Sequence, residues 1–300
     1  MNKILLLGAN GQVGWELRRS LIPLGLLVAP DQSHADLTKC DVLARLIRSE
    51  RPDIIVNAAA YTAVDQAESQ IARARAINTD AVALLAALAH ESGAWLVHYS
   101  TDYVFDGQGT TPFTENDPAA PLNVYGQSKF DGEQAMRNSG CKHLILRTSW
   151  VYAARRHNFA KTILRLAKDR HELKVVCDQI GAPTSAELIA DVTALVLASL
   201  AQRPNEELGG TYHLVAKDST SWYQFARFLI SEAQQMGISM RLTAEQIHPI
   251  PASEYPLPAA RPANSRLSTG KLESTFNLCL PNWQYHVRRM IQELRDLGAL

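Results

Sequence analysis

The chain has 300 residues, 46% of them hydrophobic, enough to bury one large core or two smaller ones. Thirty Lys and Arg offset thirty Asp and Glu, so no net basic field marks it for nonspecific nucleic-acid binding. No apolar run approaches the ~20 residues of a membrane span, and the apolar start ends at Gly8 without a small-residue cleavage site, so a cytoplasmic location is expected.

In chain order, Ile4 to Leu7 reads as a buried strand, followed by helical spacing from Gln12 to Ile22. Further strands are predicted at Leu26–Ala29, Asp53–Val56, Trp95–Tyr99 and His143–Leu146. Helices are predicted at Asp41–Ser49, Ile71–His90 and Val124–Met136. Continuous apolar strands alternating with helices imply an α/β fold: a doubly wound parallel sheet covered on both faces, of Rossmann type. After Trp150 the rhythm changes. A strand at Glu172–Cys177, a helix at Glu187–Leu200, a strand at Thr211–Val215 and a helix at Trp222–Met236 precede a proline-rich stretch, Pro249 to Pro262. A last helix covers Trp283–Leu297. The expected division is a dinucleotide-binding domain over 1–152, with parts of about 172–217 returning to its sheet. Residues 153–171 and 218–300 would form a smaller, mainly C-terminal substrate-binding lobe. The four cysteines, Cys40, Cys141, Cys177 and Cys279, match no zinc or CxxC spacing and read as buried free thiols.

Gly8-Ala9-Asn10-Gly11-Gln12-Val13-Gly14 follows the first strand and opens the first helix. Glycines there allow a tight turn, close approach of backbone to a pyrophosphate, and tight helix–strand packing, while the helix N-terminus offers free amides. Asp31, just after the second strand, is placed to accept hydrogen bonds from an adenosine ribose, which leans toward NADH over NADPH; a solvated turn aspartate is the other reading. Asp36-Leu37 are candidates for the adenine. Ala59-Ala60-Tyr61-Thr62 leaves the third strand at the expected cofactor edge, where ordinary packing would use the same small residues.

Tyr125-Gly126-Gln127-Ser128-Lys129 starts a predicted helix, and a four-residue spacing makes the phenol and the ammonium neighbours. A cation at about 4 Å, in an effective dielectric of 20, is worth roughly 4 kcal/mol. That is enough to lower a phenol from about 10 toward neutral pH and make it the proton donor that hydride transfer to a ketone requires. Ser100-Thr101-Asp102-Tyr103 leaves the C-terminal end of the fourth strand, the edge where such sheets place their active groups. The Thr101 hydroxyl is thereby a candidate partner for the ketone oxygen, and a strand-end turn capped by Asp102 is the alternative.

Gly8 to Gly14, Thr101, and Tyr125 with Lys129 resemble the extended short-chain dehydrogenase/reductase superfamily. AAAYTAVDQAE, HYSTDYVFDG, PLNVYGQSK, RTSWVY, QIGAPTSAE and RPANSRLS resemble the dTDP-4-dehydrorhamnose reductases over essentially the whole chain. That resemblance implies reduction of dTDP-4-dehydro-6-deoxy-L-mannose to dTDP-L-rhamnose with NADH or NADPH. It implies Tyr125 as proton donor, Lys129 lowering its pKa and binding the nicotinamide ribose, and Thr101 completing the triad. Thr101 and Asp102 would touch the sugar, Trp150 would line its pocket, and Arg261 would pair with the diphosphate. Tyr99 and Ala60 to Thr62 would contact the cofactor. It also implies magnesium-associated carboxylates at Glu16, Glu187 and Glu293 near a homodimer contact, which nothing local in the sequence supports. Related 4,6-dehydratases carry Asp-Glu after the threonine; here Tyr103 follows Asp102, which argues against water elimination. An epimerase would use the same triad, and a noncatalytic dinucleotide-binding regulatory subunit would not need it.

Overall fold

A computed structural model describes residues 2–203 and 207–300; Met1, at the head of the expected dinucleotide domain, lies outside them. The elements run β1 (Asn2–Leu7), α1 (Gln12–Leu21), β2 (Gly25–Val28), α2 (Cys40–Glu50), β3 (Ile54–Asn57), α3 (Val64–Ala67), α4 (Ile71–Arg75), α5 (Ala81–Ser92) and β4 (Trp95–Thr101). They continue with α6 (Val124–Asn138), β5 (Lys142–Thr148), β6 (Val151–Tyr152), α7 (Phe159–Asp169), β7 (Leu173–Val176), β8 (Ile180–Gly181), β9 (Thr184–Ser185) and α8 (Ala186–Gln202). The last are β10 (Gly210–His213), β11 (Thr220–Ser221), α9 (Trp222–Gln235), β12 (Ile247–Ile250), α10 (Gly270–Phe276) and α11 (Trp283–Asp296).

Six strands form one parallel sheet in the order β10-β5-β4-β3-β1-β2. The apolar runs of β1, β3, β4 and β5 are buried on both faces because successive side chains alternate, whereas edge strand β2 leaves Leu26 exposed. Ile4 and Leu6 pack with Leu17 and Leu21 of α1 and with Ile189, Val192 and Val196 of α8; Leu5 and Leu7 pack with Leu43 of α2 and with Val82, Leu85 and Ala89 of α5. The strand order reverses beside β1, so the Gly8–Gly14 loop opens at the switch point where such sheets hold ligands.

Three features depart from the sequence expectation. The helix expected over Ile71–His90 is broken by a π-helical turn at Ala76–Asp80. Its Asn78 is buried; the side chain donates to the Tyr61 carbonyl (3.0 Å) and to Ser128 Oγ (3.0 Å) and accepts from the Tyr61 N–H (2.9 Å). Those bonds tie α6 to the loop after β3. Of the 172–217 span, β10 extends the sheet, whereas β7 pairs in parallel with β12, across the proline-rich stretch. Pro249 is tolerated there because the pair is two strands wide and leaves an edge free. The thiols are free, yet only Cys141 is buried; Cys40 and Cys279 are exposed. No described helix is long and apolar enough to cross a membrane.

Candidate active site

The phosphate loop is shaped by what its glycines exclude. Gly8 sits at φ +78, and a Cβ there would come 2.5 Å from the Ala59 nitrogen; a Cβ on Gly14 would come 2.0 Å from the Gly8 carbonyl oxygen. The first brings the loop against the exit of β3, the second seats α1 on β1. Gly11 caps α1 without a side chain, and the first turn, Gln12 and Val13 included, carries no acidic residue, leaving amide donors and a positive dipole end uncompensated. A diphosphate fits these features. The segment after β6 lies over the same loop: Arg156 Nε donates to the Asn10 carbonyl (2.9 Å) and Asn158 Nδ2 to Gln12 Oε1 (2.8 Å). Arg155 stacks on Trp15 at 3.7 Å. None of those three residues carries a sequence motif.

Asp31 is exposed and organises its own turn, accepting from the Ser33 N–H and hydroxyl and meeting His34 Nδ1 at 2.9 Å. The Ser33 hydroxyl, then His34, hold its carboxyl down at about 2. Asp36 likewise accepts from the N–H and hydroxyl of Thr38, and Leu37 is core beneath α2. Ala60 is half-buried, Thr62 exposed, and Tyr61 buried with its hydroxyl on Gln70. Tyr99 differs from the expectation: its side chain points into the core and its hydroxyl bonds Thr193 of α8 (2.8 Å), so only its carbonyl reaches the site.

At the end of β4, Thr101 and Asp102 are buried, and the Thr101 hydroxyl donates to Asp102 Oδ1 (3.0 Å) while accepting from the Tyr103 N–H (3.2 Å). Burial pushes the Asp102 carboxyl up to about 6, against the hydroxyls of Ser265 and Thr101. Although the Ser265 hydroxyl is near the carboxyl, Oδ2 makes no well-formed hydrogen bond within the protein, the kind of buried acceptor that a sugar hydroxyl would satisfy. α6 brings Tyr125 here. Asn123 caps it, accepting from the Gly126 N–H (2.7 Å). Gly126 and Gly132 let it close in, since a Cβ on either would come 2.2 Å from the carbonyl oxygen of Tyr103 or Asn78. The Tyr125 ring meets Tyr103 edge-on at 5.7 Å.

The electrostatics correct the expectation that Lys129 brings the phenol toward neutrality. Burial pushes Tyr125 up to about 12; the Thr101 hydroxyl opposes this and the Asp102 carboxylate adds to it. Lys129, 1% exposed, points its Nζ at the Tyr99 carbonyl (2.6 Å) and at His98 Nε2 (2.9 Å). Burial lowers it to about 7, against the pull of Glu133. Four residues of helix do put the two side chains on one face, but β4 supplies the lysine with hydrogen-bond partners that sequence spacing did not reveal.

Trp150 has φ +48 and stacks on Trp222 at 3.5 Å, over Gly181, where a Cβ would come 2.6 Å from the indole. A non-glycine residue held in the left-handed region marks a position that its surroundings over-determine. Arg261, expected on a diphosphate, is engaged by Asp65 in a two-pronged pair (3.0 and 2.8 Å). Glu187 and Glu293 come within electrostatic reach of Glu16: burial raises Glu16, Arg19 opposes, and the other two raise it further. Glu187 is paired with Arg289 (2.6 Å), and no three metal-binding side chains converge among the described residues, so magnesium gains no support. A cavity of about 980 Å³ lies apart, between α9 and residues 266–269, and Thr101, Tyr125 and Lys129 do not line it.

Residues 1–296 match the family model described as RmlD substrate binding domain. The dTDP-4-dehydrorhamnose reductase of Escherichia coli (strain K12) is 52% identical, with 99% of both chains covered; that of Salmonella typhimurium is 50% identical, with 97% of both covered. A crystal structure of the Bacillus anthracis dTDP-4-dehydrorhamnose reductase in complex with NADP superposes with a TM-score of 0.87 at 35% identity, covering 97% of this chain and 99% of that one. With the glycine loop, the β4 terminus and the head of α6 meeting at one sheet edge, the chain belongs to the RmlD family.

Proposed function

We propose that this protein is an NAD(P)H-dependent reductase that converts dTDP-4-dehydrorhamnose to dTDP-L-rhamnose. The observation that carries the reading is the hydrogen bond of Tyr125 to Thr101 at the end of β4, with Lys129 on the Tyr99 carbonyl of the same strand, in a chain 52% identical to a named reductase. The bound nicotinamide would supply the hydride to the C4 ketone. Tyr125 is the proton donor to the resulting alkoxide, Thr101 steadies the oxygen once its proton turns from Asp102 Oδ1, and Asp102 Oδ2 takes a sugar hydroxyl. A phenol near 12 suits this direction. An alkoxide is a stronger base than a phenolate, so proton transfer from Tyr125 to the reduced oxygen runs downhill. Held as the protonated phenol, the same group is not available as the base that the reverse oxidation requires.

Trp150, backed by Trp222, offers an apolar wall and one donor to a deoxysugar. The Gly8–Gly14 loop, with Arg156 above it, is assigned to the diphosphate of the dinucleotide, and Asp31 to the adenosine ribose. Residues 1–152, with β10 and the sheet-covering α8, form the dinucleotide unit, and residues 153–171 and 218–300 the substrate lobe. Arg261 is free for the substrate diphosphate only if Asp65 releases it. The test is NADH or NADPH oxidation at 340 nm with dTDP-4-dehydrorhamnose as substrate. Stoichiometric consumption is expected, and a folded protein that consumes none removes the assignment.

A further inference from the structure

Three buried polar side chains run in a line beneath the proposed site, and their donors and acceptors admit few arrangements. Asn57, the last residue of β3, is the register partner of His98 on β4. Its Oδ1 accepts from the Ala59 N–H (3.1 Å), which leaves Nδ2 facing His98 Nδ1 at 3.1 Å. An amide nitrogen only donates, so Nδ1 is the acceptor and a neutral imidazole carries its proton on Nε2. Nε2 is 2.9 Å from Lys129 Nζ. An ammonium has three donors and no acceptor; an amine has a lone pair. The chain closes only with Lys129 as the amine, accepting from Nε2–H and donating to the Tyr99 carbonyl (2.6 Å).

We propose that Asn57 and His98 are positioning residues that hold Lys129 as a neutral amine, so that the site takes up a proton from solvent when an anionic ligand enters instead of presenting a standing charge. The use of this in turnover rests on the reductase reading; the order of the hydrogen bonds does not. Burial supports the arrangement: Asn57, His98 and Lys129 are each 1% exposed, and removing a charge from water there favours the neutral form of both bases. The groups around Lys129 do not reverse this. Tyr125 stands one turn earlier on α6 and is protonated. Glu133 stands one turn later, and its charge is shared between Arg147 of β5 (2.7 Å) and Arg137 (2.6 Å). Asp102 lies just past the end of β4, where the hydroxyls of Ser265 and Thr101 favour its carboxylate.

The substitution Asn57→Asp keeps the shape and reverses the chain. A carboxylate accepts from both Ala59 N–H and His98 Nδ1–H, which bares Nε2 and turns Lys129 into a donor-only ammonium. Long-range ¹H–¹⁵N correlation of the histidine rings, with His98 assigned by its loss in His98→Gln, reads the tautomer directly. Neutral His98 protonated on Nε2 is expected in the wild type, and on Nδ1 in Asn57→Asp. Lysine ¹³Cε shifts should show Lys129 titrating near neutrality in the wild type and at least tenfold more basic in Asn57→Asp. An Nδ1–H or doubly protonated His98 in the wild type overturns the proposal, as does an unchanged Lys129 titration in a folded Asn57→Asp. Should that variant not fold, the wild-type tautomer decides alone. Failure of the reductase reading would leave these spectra as they are and appear only as absent cofactor oxidation.

Discussion

Glu133 and Arg147 offer a quantitative test of how the helix that carries Tyr125 and Lys129 is anchored. Glu133 is fully buried and Arg147 is 2% exposed. They meet through Arg147 Nε to Oε1 (2.9 Å) and Nη2 to Oε2 (2.7 Å), with Arg137 on Oε2 as well (2.6 Å). Burial alone would raise the Glu133 carboxyl, yet its hydrogen bonds and charge interaction with Arg147 outweigh that and hold it below the ordinary value. Glu133→Gln leaves Arg147 buried without a counter-charge, which typically costs about 3–5 kcal/mol. Unfolding entropy for a chain of this length is about 0.6 kcal/mol per degree, so Tm should drop by about 5–8 °C at pH 7. The sign with pH follows from the depressed carboxyl. Its stabilisation is complete above the unfolded carboxylate value and is lost as pH falls through the folded one, so the gap between wild type and variant should narrow in acid. Pairing Glu133→Gln with Arg147→Met removes the stranded charge, and the double variant should lose less than the two single losses added together. Calorimetry or thermal circular dichroism measures all four proteins. An unchanged Tm for Glu133→Gln, or strict additivity of the two substitutions, would refute the reasoning.

Tyr125→Phe should lower kcat by about 10²–10⁴-fold while leaving dinucleotide Kd within a few-fold, measured by turnover and by cofactor fluorescence titration; undiminished turnover removes Tyr125 as the acid. Because burial brings Lys129 to about 7, the folded protein binds fewer protons there than the unfolded chain between that value and the ordinary lysine range. The Tm of the wild type relative to Lys129→Met should therefore climb from pH 7 to pH 9, and a constant difference would contradict a depressed lysine. Asp102, pushed up to about 6, should produce an acid limb in kcat/KM that Asp102→Asn abolishes; its survival would place that limb on another group. Trp222→Ala should release Trp150 from its stack and raise KM for the nucleotide sugar with little change in dinucleotide Kd, and an unchanged KM would make the stack purely structural.

Most of the sheet and the proposed triad are legible in the sequence. Apolar runs buried on both faces announce parallel strands, glycines at 8, 11 and 14 announce a loop that must tolerate close backbone, and Tyr125 and Lys129 are separated by one helical turn. The π-turn at 76–80 was not legible, because alanine-rich helical spacing continues through it while Asn78 turns inward to tertiary partners. Asn57 and His98 left a trace: each is a polar residue near the end of an otherwise apolar strand. Their meaning needed the register that sets them opposite one another.

By itself the amino-acid order determined the fold class and the glycine loop, and set out the side chains proposed for the chemistry, since each depends on local geometry and period. Only the tertiary structure decided their ionisation and engagement. It raised the phenol instead of lowering it, gave Lys129 to His98 and the Tyr99 carbonyl, paired Arg261 with Asp65 and Glu187 with Arg289, and turned the Tyr99 side chain into the core. Proton affinity and hydrogen-bond partners are set by burial and by neighbours distant along the chain, and those come together only when the strands and helices pack.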